Sequence, residues 1–183
     1  MNLVYRFLVL FLVFVLTGSF VLQKQNESWI YQREKQGIKV FTKKSIWGKL
    51  RDSKAVMQVA ATPEQMLLTL TDFDNYKSWV PRCGKSRLLA RLNDNEFIAY
   101  LYFDAPWPVK NRDCVIRVKI EKNPASGVIT LTQTSEPKYI REESDVVRIE
   151  QLVSRWSLIP KKEGGATVIN EYSSNPGEAF PIG

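Results

Sequence analysis

The chain has 183 residues, 26 Lys and Arg against 19 Asp and Glu, 44% hydrophobic side chains and no histidine, a composition of ordinary globular proteins and of a length suited to one domain. Without an imidazole it builds no Ser-His-Asp triad, no Cys–His dyad and no His-ligated zinc site; Cys83 and Cys114 are too few for a disulfide scaffold or a four-cysteine metal site and lack the spacing of a redox motif. The net charge of +7 favours encounter with anionic surfaces, although no run of five basic residues concentrates it, and dispersed lysines that keep a protein soluble account for it more simply.

Residues 1–22 carry Arg6 and then an unbroken apolar run from Phe7 to Leu16, followed by the small residues Thr17-Gly18-Ser19. A short apolar core ahead of small residues is the pattern of a secretory signal peptide, cleaved near Ser19. That reading places the protein outside the cytoplasm, in the periplasm of a bacterial source or secreted. Extended to Leu22, the run approaches the length of a membrane span, so residues 3–22 also read as an uncleaved anchor. No cysteine follows it, which removes lipoprotein anchoring.

Asn26 is placed to cap a short helix through Glu27 to Lys35, ended by Gly37. Alternating Ile38, Val40 and Thr42 predict a strand, and after a Trp47-Gly48 turn a second runs from Lys54 to Ala60. Thr62-Pro63-Glu64-Gln65 is the clearest helix start, with Thr62 as N-cap, Pro63 in the first turn and Gln65 closing a capping box. Asp72 to Trp79 reads as a turn into another short helix, stopped by Pro81. From Ser86 the period becomes two: Ser86–Leu92 and Glu96–Phe103 flank the turn Asn93-Asp94-Asn95. Asp113 to Glu121 sets Cys114, Ile116, Val118 and Ile120 on one face against Arg117, Lys119 and Glu121 on the other. Val128–Thr134, Val146–Pro160 and Ala166–Ser174 complete the strands, and the apolar parity of Val146–Pro160 switches near Glu150-Gln151, the mark of a bulge or bend. The whole predicts an α+β fold, a curved antiparallel sheet of about seven strands with little helix to cover one face.

Four segments carry a resemblance: Asp72-Phe73-Asp74-Asn75-Tyr76-Lys77-Ser78-Trp79, Pro106-Trp107-Pro108-Val109-Lys110-Asn111-Arg112-Asp113-Cys114-Val115, Trp156-Ser157-Leu158-Ile159-Pro160 and Asn175-Pro176-Gly177-Glu178-Ala179-Phe180-Pro181. In order and spacing they resemble the START lipid-transfer domains, and the likeness runs from about Trp29 to the end, giving residues 26–183 as one START-like domain. The resemblance implies a helix-grip fold, an antiparallel sheet wrapped round a long C-terminal helix with a lipid-holding cavity between them. In the family the segment resembling Asn175–Pro181 leads into that helix, whereas this sequence ends at Gly183; the expectation is therefore a gripping helix missing by truncation.

Candidate ligand-binding residues are Trp79, Phe97, Ala99, Tyr100, Leu101, Trp107, Arg112, Arg148 and Glu150. Phe97, Ala99, Leu101 and Phe103 share one strand face and Ile98, Tyr100 and Tyr102 the other, so this strand has no wet side; ligand contact and two-sided core burial both account for that. Trp107, held between two prolines, reads as packing more than contact. Arg112-Asp113 reads as a staple at a strand start or, on the resemblance, as a pair ordering a loop at the cavity entrance. Arg148 and Glu150, two apart, fall on one face, where a buried pair would orient a lipid head group and an exposed one would be a cross-strand decoration. The other inward-capable polar residues are Thr132, Thr134, Arg155, Asn170 and Glu171, and Cys83 and Cys114 are either small core residues or a bridge.

Some phospholipid-binding START domains carry a phosphate-reading arginine in the helix that Tyr76-Lys77-Ser78-Trp79 resembles; here Tyr76 and Lys77 stand in that neighbourhood, which weakens the case for phosphocholine selectivity and leaves a phospholipid open. The leading expectation is a non-catalytic lipid or hydrophobic-ligand carrier or sensor, with no cofactor, metal or nucleic acid and a transient contact with an anionic membrane surface. Its rivals are a polyketide cyclase- or aromatase-like enzyme using Glu150 or Glu171 with a tyrosine, and a membrane-anchored surface adaptor.

Overall fold

The structure, a computed structural model, describes residues 28–47 and 50–177. The predicted signal or anchor segment, Gly48 and the last residues of the Asn175–Pro181 motif lie outside the described residues. Ten strands form one sheet: β1 (Ile30–Lys35), β2 (Ile38–Lys44), β3 (Arg51–Val59), β4 (Cys83–Asn93), β5 (Glu96–Phe103), β6 (Asn111–Lys122), β7 (Ile129–Ser135), β8 (Val146–Arg148), β9 (Gln151–Pro160) and β10 (Ala166–Asn175). Helix α1 (Pro63–Thr71) and a 3-10 helix (Phe73–Ser78) join β3 to β4. The sheet order is β1-β2-β3-β10-β9-β7-β6-β5-β4, antiparallel throughout, with β8 off this path and parallel to the start of β6. This is the expected α+β sheet, richer in strands than the sequence pattern suggested.

The helix expected over Glu27–Lys35 is instead β1, as far as it lies among the described residues. Gln36 and Gly37 both adopt positive φ, 52° and 77°, which makes them the two central residues of a hairpin turn and joins β1 to β2. Gly37 supplies left-handed backbone as expected, but to a turn between strands. Cross-strand packing completes the hairpin: Tyr31 meets Phe41 edge-on at 5.6 Å, and Lys43 and Lys54 place their ammonium groups 4.8 and 5.0 Å from the Trp29 ring.

Helix α1 begins as its sequence dictates. Thr62 Oγ1 accepts from the Gln65 amide at 3.3 Å, and Gln65 Oε1 accepts from the Thr62 amide at 2.9 Å, so the capping box satisfies two N-terminal donors. The helix lies over the β7–β9 region of the sheet and buries Leu70; the 3-10 helix that follows buries Phe73 and Tyr76. Together they cover one face, where Phe97, Ala99 and Leu101 of β5, Cys114, Ile116 and Val118 of β6, Leu131 of β7 and Leu158 of β9 form the main core. The predicted bend at Glu150-Gln151 is a full break: β8 ends at Arg148 beside β6, and β9 starts at Gln151 beside β7 and β10.

The opposite face of β5 and β6 is closed by a second, smaller core of Ile98, Tyr100 and Val115, onto which Ile140 of the β7–β8 connection packs. Arg148 pins that connection down. Its Nε donates to Asp113 Oδ1 at 2.7 Å, its Nη2 to Asp113 Oδ2 at 2.9 Å, and its Nη1 to the carbonyl oxygen of Pro137 at 2.5 Å. Both partners of this bidentate pair are almost fully enclosed.

Candidate functional site

Between the covering helices and the sheet lies an apolar cavity of about 180 Å³. Trp79, Val80 and Pro81 bring the turn after the 3-10 helix to its rim. Leu101 and Phe103 of β5 with Cys114 and Ile116 of β6 form one wall. The other wall is Gln133 of β7, Leu152, Ser154 and Trp156 of β9, and Asn170 and Tyr172 of β10, with Tyr76 reaching in from the 3-10 helix. Alternation explains the membership: Ser154 stands opposite Gln133 on one neighbouring strand and Tyr172 on the other, so three separate strands present the same side here.

Four polar side chains of the cavity form two hydrogen-bonded pairs. Asn170 Nδ2 donates to Ser154 Oγ at 3.1 Å, Gln133 Nε2 donates to Tyr76 Oη at 3.4 Å, and Tyr76 Oη donates to the Leu70 carbonyl at 2.5 Å. Burial raises the Tyr76 phenol well above its ordinary range, and it pushes the Cys114 thiol up to about 12. Among the described residues, none that lines the cavity carries a charge at neutral pH.

Of the residues expected at the site, Trp79 and Leu101 line the cavity. Phe97 and Ala99 lie on the same face but deeper in the core, with Phe97 packed 5.8 Å from the Phe73 ring. Tyr100 belongs to the opposite face, beside Val115, and its strand is dry on both sides because each side has its own core. Trp107 stands 92% exposed on the β5–β6 loop, so it is neither packed nor in the cavity. Arg112 is buried at the start of β6, where its Nη1 donates to the Lys110 carbonyl and ties down that loop.

The expected Arg148–Glu150 pair does not form. The chain breaks between β8 and β9, Arg148 turns to Asp113, and Glu150 is exposed with its backbone carbonyl accepting from Ser135 Oγ at 2.6 Å. Of the other inward-capable polar residues only Asn170 enters the cavity; Thr132 stands opposite Arg155, and Arg155 opposite Glu171, in a row on the far face. Cys83 and Cys114 are both buried and free rather than bridged. Gln133 and Ser154 were missed: Ser154 interrupts the apolar parity between Leu152 and Trp156, and that break was the available signal, whereas Gln133 follows Ile129 and Leu131 at the point where its parity turns polar with Ser135.

A mostly antiparallel sheet of ten strands among the described residues, with an apolar cavity on one face under short helices, has the architecture of the START-like class. A family model described as polyketide cyclase/dehydrase and lipid transport matches residues 59–182, and the chain belongs to that family. The structure of a STAR-related lipid transfer protein from Xanthomonas axonopodis matches with a TM-score of 0.77 at 30% identity, over 84% of this chain and 85% of that one. An uncharacterized protein of Pseudomonas aeruginosa is 29% identical over 155 residues, 85% of this chain and 76% of its own length. The phosphatidylcholine transfer protein of Mus musculus is 26% identical over 113 residues, 60% of this chain and 52% of that protein.

Proposed function

We propose that this protein binds a lipid or similar hydrophobic ligand in the cavity between the 3-10 helix and the sheet, and that it carries or senses that ligand without chemically altering it. The observation that carries this reading is the cavity itself: an apolar chamber whose polar groups include amide, hydroxyl, phenol and thiol, with no carboxylate or imidazole among the described residues that line it. Kinship with lipid-transfer proteins supports it. The apolar run Phe7–Leu16 ahead of Thr17-Gly18-Ser19 supports an exported protein, and the positive net charge supports a passing contact with anionic membrane.

Native mass spectrometry of the full chain, purified with whatever lipid it retains, tests the reading. The wild type should carry a hydrophobic adduct. Leu101→Arg places a charge in the cavity wall and should abolish the adduct while the β-sheet circular dichroism signal persists. An adduct of unchanged occupancy on a folded Leu101→Arg variant refutes the proposal.

A further inference from the structure

Resting on the carrier reading above, we infer that the cavity selects an uncharged amphiphile, whose hydroxyl or carbonyl docks on Ser154, Asn170 and Gln133 while its hydrocarbon lies along Leu101, Phe103 and Ile116. The polar groups are gathered rather than scattered. Ser154 and Gln133 are register partners on β9 and β7, and Asn170 of β10 reaches the same hydroxyl.

Their hydrogen bonds leave donor and acceptor capacity for a guest. Asn170 donates to Ser154 Oγ, so Ser154 keeps its own proton to give and Asn170 keeps its carbonyl to accept. Gln133 spends one N–H on Tyr76, whose own proton goes to Leu70, and keeps a carbonyl and a second N–H. Such a cluster gives and accepts hydrogen bonds without offering a counter-charge, which suits an alcohol, ester or ketone oxygen.

A charged head group would fare badly at that place. An ion moved from water into an apolar site needs a partner of opposite charge, and among the described residues none that lines the cavity supplies one. Arg148 is locked to Asp113 on the far face of the sheet, and Arg112 lies outside the cavity lining. The raised Tyr76 and Cys114 pKa values keep both side chains neutral through the physiological range, so no lining group supplies a charge by titration. The cavity, about 180 Å³ and partly open, lies below the roughly 300–1,000 Å³ of pockets that engulf a whole drug-sized ligand, so the test uses single-chain ligands whose tails extend past the rim.

Three probes with one chain and different heads decide the matter: oleyl alcohol, oleyl sulfate and oleyl trimethylammonium, the last two permanently charged. Each is titrated into delipidated full-length protein, displacing the hydrocarbon dye diphenylhexatriene. Oleyl alcohol should bind at least about tenfold tighter than either charged analogue. Equal or tighter binding of a charged analogue overturns the inference while leaving the carrier reading intact. Failure of dye and alcohol alike overturns both. A Ser154→Ala/Asn170→Leu double variant should lose about tenfold in affinity for the alcohol and retain the dye; a parallel loss of both ligands overturns the docking role.

Discussion

Strands β5 and β6 are apolar on both sides, yet their two sides have opposite fates. On the far side, Ile140 and the β7–β8 connection fill the space against Ile98, Tyr100 and Val115, and the Arg148–Asp113 pair locks the filling in place. On the near side, the helices cover the core only in part, and a void remains between Leu101, Ile116, Ser154 and Trp156. Apolar alternation alone does not tell a packed face from a receptive one. What differs is the material that returns to cover it: a strap anchored by a buried ion pair on one side, a short helix with a polar cluster beneath it on the other.

Removing the lock should have the largest effect. Arg148→Met leaves Asp113 buried without its cation, and should lower the unfolding free energy by about 3–5 kcal/mol, measured by urea denaturation. Because the pair lies across the sheet from the cavity, the ligand affinity of the folded fraction should stay near wild type. A variant that keeps full stability and loses the ligand would reverse the roles assigned to the two sides.

The near side should reveal itself at high pH. Cys114 has its folded pKa raised to about 12 from 9.0, so the unfolded state releases this proton first, and stability is full below about 9 and falls as pH rises towards 12. Each unit in that window should remove up to about 1.4 kcal/mol, and Cys114→Ala should flatten the part of the slope due to the thiol. A denaturation series that is level between those limits would mean that the thiol is not sealed in the folded protein.

Smallest of all is the effect expected from Arg117, which bridges Glu96 and Glu136 at 2.8 and 2.5 Å from a half-buried position on β6. Arg117→Ala should shift the thermal midpoint by only a small fraction of the Arg148→Met shift, and added salt should erase the difference. A comparable loss from both would show that burial does not distinguish these two arginines.

Much of this contrast was legible in the chain before its folding. The Thr62-Pro63-Glu64-Gln65 start, the face shared by Cys114, Ile116, Val118 and Ile120, and the two dry faces of β5 all follow from local periodicity, and the structure keeps them. Local pattern failed where pairing with another segment decided the outcome. Trp29 to Lys35 suits a helix or a strand, and pairing with β2 decides for the strand. Arg148 had a carboxylate two residues away in Glu150, but the one it binds is 35 residues distant, in a strand it reaches only because β8 runs parallel to β6. Gln133, Ser154 and Asn170 meet through the register of three strands, which no single stretch of sequence specifies.

The neighbour relation between β3 and β10 sets the order in which this protein becomes whole. The side chains of Asp52 and Ser173 touch across 121 positions of chain, and β10 contributes Asn170 and Tyr172 to the cavity wall. A polypeptide emerging from its N-terminus therefore offers the first three strands long before their mate exists, with one long edge of backbone unmatched until β10 is made. Such distant pairing carries a high loop-closure cost and makes for slow, high-contact-order folding. The receptive chamber thus waits on β10, and a chain that stops short of that strand lacks the Asn170 and Tyr172 wall.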